Sequence, residues 1–192
     1  MHTTTKDSIY STALEMFSTR GYTATTVRDI AEEVGIRGAS VYAHVNGKEQ
    51  LLRDLVLAAA GEFERNVRSV FESNLDVESK LRSMIAAHIG VITRNIHAAT
   101  IYFHEWKFLG PQRRRSVRER RDAYEAMFRQ VISEGMDRKT FATNDPKFAA
   151  IFILSSCNSI PTWYKPTGTL TPGELGRMFA EMLVRGIMNC EV

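Results

Sequence analysis

The chain has 192 residues, 44% of them hydrophobic and 24% charged, with a formal net charge of +3. This composition is typical of a globular protein, and it contains neither a run of about 18 apolar residues that would predict a membrane span nor the features of a signal peptide. Cys157 and Cys190 lie far apart in apolar sequence. We therefore expect buried thiols in a cytoplasmic protein, without a disulfide framework, a metal site or a cofactor.

Helical periodicity dominates the sequence, and no strict alternation of apolar residues predicts a strand. Ile9, Ala13 and Phe17 recur at helical spacing in the first helix. Thr26 and Asp29 have the spacing of a capping box at the start of the second helix. We predict an all-α fold whose first four helices span about Thr5–Arg20, the residues after Thr26 up to Gly35, Gly38–His44, and Lys48–Ser73.

The remaining sequence predicts five further helices, which gives about nine in all. Pro161 is expected to kink the eighth helix, because proline lacks the backbone donor that a helix interior needs. Residues 1–50 form a small three-helix module in this prediction, and residues 51–192 form a larger helical bundle. The five predicted helices are the stripe Leu81–Ile92, the stretch IYFHEWKFL before Gly110, Gln112–Gly135, Pro146 to about Tyr164, and a last helix opened by a capping box of Thr171 and Glu174.

The second and third helices, separated by a turn at Gly35, have the spacing of a helix-turn-helix. In that motif the second helix enters the major groove of DNA. The predicted third helix has a bare face of small residues, which suits close approach to base edges: Gly38, Ala39, Ser40 and Ala43. The net charge of this segment does not by itself favour DNA binding, since Met1 to Asp54 contains six basic and seven acidic residues. Any DNA contact must therefore depend on where the charges lie.

The segment TTVRDIAEEVGIRGASVYAHVNGKEQLL, Thr25 to Leu52, resembles the DNA-binding domain of the TetR family of bacterial transcriptional repressors. The resemblance implies that Thr26 caps the second helix and contacts a phosphate, and that Tyr42, His44 and Lys48 hold the DNA backbone. It places Arg37, Ala39 and Ser40 near the bases. The predicted DNA-binding set is Thr26, Arg37, Gly38, Ala39, Ser40, Tyr42, His44 and Lys48.

Within this set Arg37 is the long donor that is able to reach guanine O6 and N7. Ala43 departs from the aromatic residue that the family often has at its position, so some backbone contact area is lost. Two residues also have an alternative interpretation. Tyr42 could cover the first helix, and His44 could be an ordinary surface histidine.

Arg121 lies on an apolar stripe of the seventh helix with Tyr124 and Phe128. A buried guanidinium needs a partner, either a carboxylate such as Glu105 or an anionic ligand. His88 lies on the apolar stripe of the fifth helix, as a core histidine or as a ligand contact. The arginine-rich run RRRSVRERR, residues 113–121, predicts a solvated helix face or a surface that attracts an anionic effector, with DNA contact less favoured.

The stretches RRDAYEAMFRQVISEG and NSIPTWYKPTGTLTPGEL resemble a subset of TetR regulators that respond to acyl-CoA thioesters. A regulator of efflux that responds to hydrophobic cationic compounds is the alternative, but inward arginines favour an anionic effector. Packing at a dimer seam is an equal alternative for Trp163. The candidate effector-binding residues are His88, Phe103, Trp106, Arg121, Tyr124, Asn158 and Trp163.

The last two predicted helices have the apolar character of a dimer interface, and Gly176 and Ala180 permit close helix packing. The resemblance implies a homodimer on a palindromic operator, released when an effector in the bundle tilts the fourth helix. An enzyme is not expected, because the sequence has no nucleophile-base pairing and no glycine-rich phosphate loop. His97, His104 and Glu105 are a weak candidate metal site that we expect to hold no metal.

Overall fold

A computed structural model describes residues 4–188, and the regular secondary structure within this range is helical throughout. The prediction of an all-α fold is confirmed. The prediction for Cys190 falls outside the described residues, whereas Cys157 is a buried free thiol. The nine α-helices of this range are α1 Thr5–Thr19, α2 Val27–Val34, α3 Gly38–Val41, α4 Lys48–Phe71, α5 Val77–Arg94, α6 Ile96–Thr100, α7 Pro111–Asp137, α8 Pro146–Asn158 and α9 Pro172–Met188.

Local sequence signals set the helix starts. Thr26 and Asp29 form the predicted capping box, in which each side chain accepts a hydrogen bond from the backbone amide of the other. Thr171 and Glu174 form the same reciprocal arrangement ahead of α9. Gly35 ends α2 at φ +76°, a left-handed conformation that glycine adopts without strain. These caps satisfy amide groups that would otherwise lack partners inside the helix.

Two helix ends differ from the prediction. Helix α3 ends at Val41, and the residues up to His44 form a turn. Helix α8 ends at Asn158, so the predicted kink at Pro161 within this helix is wrong. Pro161 instead lies in the short 3-10 helix Ile160–Thr162. The α-helix stops ahead of the proline because the proline ring excludes the helical backbone and offers no amide donor.

The predicted sixth helix, IYFHEWKFL, is not an α-helix, because α6 lies ahead of it at Ile96–Thr100. Helix α6 continues as a π-helical turn, Ile101–Glu105, and then as a 3-10 turn, Trp106–Phe108. Leu109 is buried in extended conformation and ends this segment ahead of Gly110. The predicted helix is thus replaced by a π-helical turn, a 3-10 turn and one extended residue.

The described chain divides into two compact units by packing. Unit 1 comprises the residues up to Ala60 together with Ile96–Glu119, and unit 2 comprises Gly61–Asn95 and the residues from Arg120 onward. These packing units do not follow the predicted division at residue 50, because α6 and the start of α7 pack with the N-terminal helices. The functional division into residues 1–50 and 51–192 remains a prediction.

Each unit has its own apolar core. In unit 2, α9 lies close against α5 at Gly176, where an added Cβ would come within 3.3 Å of the Ala86 Cα. None of the helices in the described range combines the length and apolar character needed to cross a bilayer. The core of unit 1 includes Ile9, Phe17, Ile30, Val41, Leu51 and Leu52, and that of unit 2 includes Phe63, Leu81, Met84, Ile85, Phe128 and Val184.

Candidate DNA-binding surface and effector site

Helix α3 presents small residues to solvent and is anchored from behind by two valines. Val41 and Val45 are buried, whereas Ala39 and Ser40 are exposed. Arg37 is the N-cap residue of α3, and its exposed side chain makes no capping hydrogen bond. The outward face of α3 therefore carries only small side chains, and the long cationic side chain of Arg37 lies at the start of the helix.

Two further predicted contact residues lie in the turn after α3. Tyr42 is 60% exposed, so it does not serve as a cover for α1. His44 is also exposed. Both side chains are accessible to a macromolecule that approaches α3.

The side chain of Thr26 caps α2 and is also exposed to solvent. Its Oγ1 accepts a hydrogen bond of 3.1 Å from the Asp29 amide, and the Asp29 carboxylate accepts one of 2.7 Å from the Thr26 amide. The hydrogen bonds from Thr26 hold the pKa of Asp29 below its usual value of 3.8. The Thr26 side chain is exposed, so its hydroxyl group can be reached by a partner outside the protein.

Lys48 is held over an aromatic ring at the start of α4. Its Nζ lies 4.0 Å from the centroid of the Tyr22 ring, which is a cation-π contact. Burial lowers the pKa of Lys48 from its ordinary 10.5. The Tyr22 ring in turn stacks on Phe108 with centroids 5.9 Å apart. Sequence reasoning did not identify Tyr22 as a residue that supports this surface.

Side-chain to backbone hydrogen bonds attach the segment before α7 to the N-terminal helices. Glu105 Oε2 accepts a 2.7 Å hydrogen bond from the Tyr22 amide. Glu49 Oε1 accepts one of 2.9 Å from the Gly110 amide and lies 3.4 Å from an Arg113 nitrogen. Glu105, predicted as a candidate partner of Arg121, thus has a defined contact inside unit 1.

In unit 2, three of the candidate effector-binding residues form one buried polar cluster. His88 is 2% exposed, with Nδ1 2.7 Å from the Tyr124 hydroxyl and Nε2 3.1 Å from Asn158 Oδ1. The Phe63 ring lies 4.9 Å from the His88 ring. The pKa of His88 is lowered to about 4, mainly by burial; the Asn158 hydrogen bond raises this pKa and the nearby charge of Arg121 lowers it, each to a smaller extent.

This environment determines the tautomer of His88. A neutral imidazole has one donor and one acceptor nitrogen. Because Asn158 presents an oxygen, Nε2–H donates to it, and Nδ1 accepts from the Tyr124 hydroxyl. A ligand that contacts either His88 nitrogen must therefore replace Tyr124 or Asn158. Sequence reasoning missed Phe63, which lies in the α4 stripe without any polar signal.

The other candidate effector-binding residues lie apart from this cluster or at its edge. Arg121 is half-buried rather than enclosed. Trp163 is 47% exposed and stacks on Phe179, with ring centroids 5.9 Å apart. Phe103 and Trp106 belong to unit 1 and are half-buried there.

The weak metal candidate is not assembled into a site. His97 Nδ1 lies 2.7 Å from the Ser18 hydroxyl, His104 is exposed, and Glu105 accepts the hydrogen bond from Tyr22. Within residues 4–188, no three or more histidine, cysteine, aspartate or glutamate side chains are grouped to hold a metal ion.

Comparison with known families accounts for both parts of the chain. Residues 9–55 match the family described as bacterial regulatory proteins, tetR family. Residues 74–187 match the tetracyclin repressor-like C-terminal domain. The chain belongs to the TetR family. This TetR-family transcriptional regulator therefore has its helix-turn-helix in α2 and α3, as the resemblance predicted.

Relatives of this regulator include transcriptional repressors. It is 28% identical over 177 residues to the HTH-type transcriptional repressor KstR2 of Mycobacterium tuberculosis, covering 91% of this chain and 88% of the relative. The solved structure of the ketosteroid transcriptional regulator KstR2 of Mycobacterium tuberculosis superposes with a TM-score of 0.90 at 26% identity, covering 98% of this chain and 97% of the other. AibR, solved in complex with isovaleryl coenzyme A and operator DNA, has a TM-score of 0.83 at 25% identity, covering 96% and 98%.

Proposed function

We propose that this regulator is a homodimeric repressor that binds a palindromic operator and is released by a small anionic effector, an acyl-CoA thioester. It acts in the cytoplasm, and it is not an enzyme. The observation that carries the proposal is the anchored helix α3, whose small exposed residues lie beside the exposed side chains of Arg37, Tyr42 and His44.

The DNA-binding role divides among base and phosphate contacts. Arg37 reads a guanine, because its guanidinium can donate two parallel hydrogen bonds to O6 and N7. Ala39 and Ser40, together with Gly38, allow the backbone of α3 to approach the base edges. Phosphate contacts position the protein on the duplex without reading sequence. Thr26, Tyr42, His44 and Lys48 make these contacts.

Dimerisation is supported by exposed apolar side chains on α8 and α9. Phe148 and Phe152 are 68% and 57% exposed, and Met178 and Met182 are 41% and 55% exposed. Large apolar side chains grouped on neighbouring helices favour burial against a second subunit. A two-fold dimer then presents two copies of α3 to a palindromic site.

The effector proposal is supported by the polar cluster of His88, Tyr124 and Asn158 within an apolar core, with the charge of Arg121 acting on it. A guanidinium favours carboxylate, phosphate or thioester-linked anionic ligands over cations. AibR, whose structure contains isovaleryl coenzyme A, is a relative of the same fold. The acyl chain of the effector would pack against apolar side chains of unit 2, in place of contacts that these side chains now make with one another.

Two measurements test this function. First, the purified protein selects duplexes from a random library, and we expect an enriched palindromic sequence. Second, thermal shifts are recorded with acyl-CoA thioesters of short and long chains, with free coenzyme A, and with hydrophobic cationic dyes. We expect stabilisation by acyl-CoA and release of the selected duplex at the same concentrations. Stabilisation by the dyes alone would contradict the effector class and favour the efflux alternative.

A further inference from the structure

The arginine-rich start of α7 lies beside the proposed DNA-binding surface within unit 1. Residues 107–119 contain five basic residues, Lys107, Arg113, Arg114, Arg115 and Arg118, against one acidic residue, Glu119. Phosphate-binding surfaces of proteins have this excess of lysine and arginine over carboxylates.

The basic residues of this run differ in their contacts. Arg113 is compensated by Glu49 at 3.4 Å, and Arg114 donates a 3.3 Å hydrogen bond to the Lys107 carbonyl. Arg115 and Arg118 are exposed, and neither makes an ion pair with any residue that the structure describes. Among the described residues, Arg114 likewise has no ion-pair partner, but it is half-buried. We call the three exposed basic residues without an ion pair, Lys107, Arg115 and Arg118, the α7 basic patch.

A continuous series of ring contacts connects this patch with Lys48. The Lys48 Nζ lies 4.0 Å from the Tyr22 centroid, the Tyr22 and Phe108 centroids are 5.9 Å apart, and the Lys107 Nζ lies 5.3 Å from the Phe108 centroid. These steps place the two ammonium groups at most about 15 Å apart, a span of several phosphates along one DNA strand.

The attachment between the two regions is also fixed by hydrogen bonds. Glu49 follows Lys48 directly and accepts a hydrogen bond of 2.9 Å from the Gly110 amide just ahead of α7. Glu105 accepts one of 2.7 Å from the amide of Tyr22, the residue under Lys48. The start of α7 is thus held against the turn that carries the proposed phosphate contact.

We propose that the α7 basic patch extends the DNA-binding surface and contacts phosphates that flank the sequence read by α3. This inference rests on the proposed function, because it takes Lys48 as a contact to the DNA backbone. The patch reads no bases, so it adds affinity and salt dependence without adding sequence specificity. Its partner is duplex DNA beyond the operator core.

The test compares R115Q/R118Q with wild type on two duplexes that carry the selected operator. One duplex ends at the operator core, and the other extends it by about one helical turn on each side. We expect the variant to bind the longer duplex at least about tenfold more weakly at moderate salt. The slope of log Kd against log salt should fall by about 3 to 4, because the dimer loses four arginines. Binding to the short duplex should be unchanged.

A matched variant, R129Q/R138Q, removes the same charge from exposed positions of unit 2. We expect it to bind both duplexes as wild type does. Equal binding of the longer duplex by R115Q/R118Q and wild type would overturn the inference and leave operator recognition intact. Weaker binding of acyl-CoA by R115Q/R118Q with an unchanged salt slope would also overturn it, since the patch would then attract the effector. Failure of the wild type to select any duplex would remove the proposed function itself.

Discussion

The hydroxyl oxygen of Tyr124 lies 2.7 Å from His88 Nδ1, in a site where burial keeps the imidazole neutral. The pKa of His88 in the folded chain is lowered to about 4 from its ordinary value of 6.5. Below about pH 6.5, His88 therefore binds a proton in the unfolded chain but stays neutral in the folded chain. The contribution of neutral His88 to the free energy of unfolding is therefore fully present above that pH and is lost as the pH falls toward 4.

We expect the free energy of unfolding to decrease by about 2 kcal/mol between about pH 6.5 and pH 5 because of His88. Urea denaturation across this range measures the decrease. The variant His88→Gln lacks the titrating ring, so its unfolding free energy should change much less over the same interval. The same pH slope in both proteins would show that another group causes it.

Thr26 allows helix capping to be separated from phosphate binding. Aspartate is also a good N-cap residue, but it places a negative charge where a phosphate is proposed to bind. We expect Thr26→Asp to keep the thermal melting temperature within a few degrees and to lower operator affinity by about tenfold or more. Thr26→Ser keeps the hydroxyl and serves as the comparison. Normal operator binding by Thr26→Asp would exclude a phosphate at this position.

Arg37 is expected to carry base discrimination. Arg37→Ala should cost about 1–3 kcal/mol of binding free energy and relax the preference for a guanine at one position of each half-site. Competition assays with operators changed at single positions measure this preference. Arg28 is an exposed arginine on α2 outside the predicted set. Arg28→Ala should therefore leave base discrimination unchanged, and an unchanged profile for Arg37→Ala would assign the base contact elsewhere.

We expect a charged residue on the exposed apolar face of α8 to disrupt the proposed dimer. Phe152 is 57% exposed, so Phe152→Glu should leave the fold of each subunit intact and shift the protein to a monomer. Light scattering coupled to size exclusion measures the mass. Leu75 is 45% exposed in the α4–α5 connection, outside α8 and α9 in sequence. Leu75→Glu should remain dimeric, and a dimeric Phe152→Glu protein would place the interface on another surface.

Gly135 is required by the packing at the end of α7. An added Cβ would overlap Cδ2 of Phe141, whose ring is only 4% exposed. We expect Gly135→Ala to destabilise the fold by about 1–3 kcal/mol, because the ring must move. In Gly90→Ala, by contrast, the methyl group would lie 3.5 Å from the end of the flexible Arg94 side chain, which is an ordinary contact, and the substitution should be neutral or stabilising.

A double-mutant cycle with Phe141→Ala tests the cause of this effect. If the ring is the obstacle, Gly135→Ala should cost little in the Phe141→Ala background, and the two substitutions will be strongly non-additive. Additive effects, measured by denaturation, would point to a cause other than the contact between residues 135 and 141.

Local signals made much of the fold predictable. The capping box of Thr26 and Asp29 and the left-handed Gly35 act within one turn of the chain, so residue type and spacing determine them. The helix-turn-helix follows from the same short-range pattern. Pro161 gave a correct local signal whose consequence was misjudged, since the proline ends the α-helix instead of bending it.

Long-range hydrogen bonds were not predictable in the same way. Glu105 and the Tyr22 amide are 83 residues apart, and Glu49 and the Gly110 amide are 61 apart. A side chain that accepts from a distant backbone amide leaves no periodic pattern in the sequence. For this reason the packing of residues 96–119 with the N-terminal helices was not foreseen. His88 and Asn158 were predicted separately, but their mutual contact across 70 residues was not.

The Tyr22 ring beneath Lys48 has a further consequence for association with DNA. A lysine normally loses rotational freedom and part of its water shell when it binds a phosphate. Over the aromatic face, 4.0 Å from the ring centroid, both losses are partly complete in the free protein. The ammonium group is thus preorganised, and the proposed phosphate contact requires little rearrangement of this side chain.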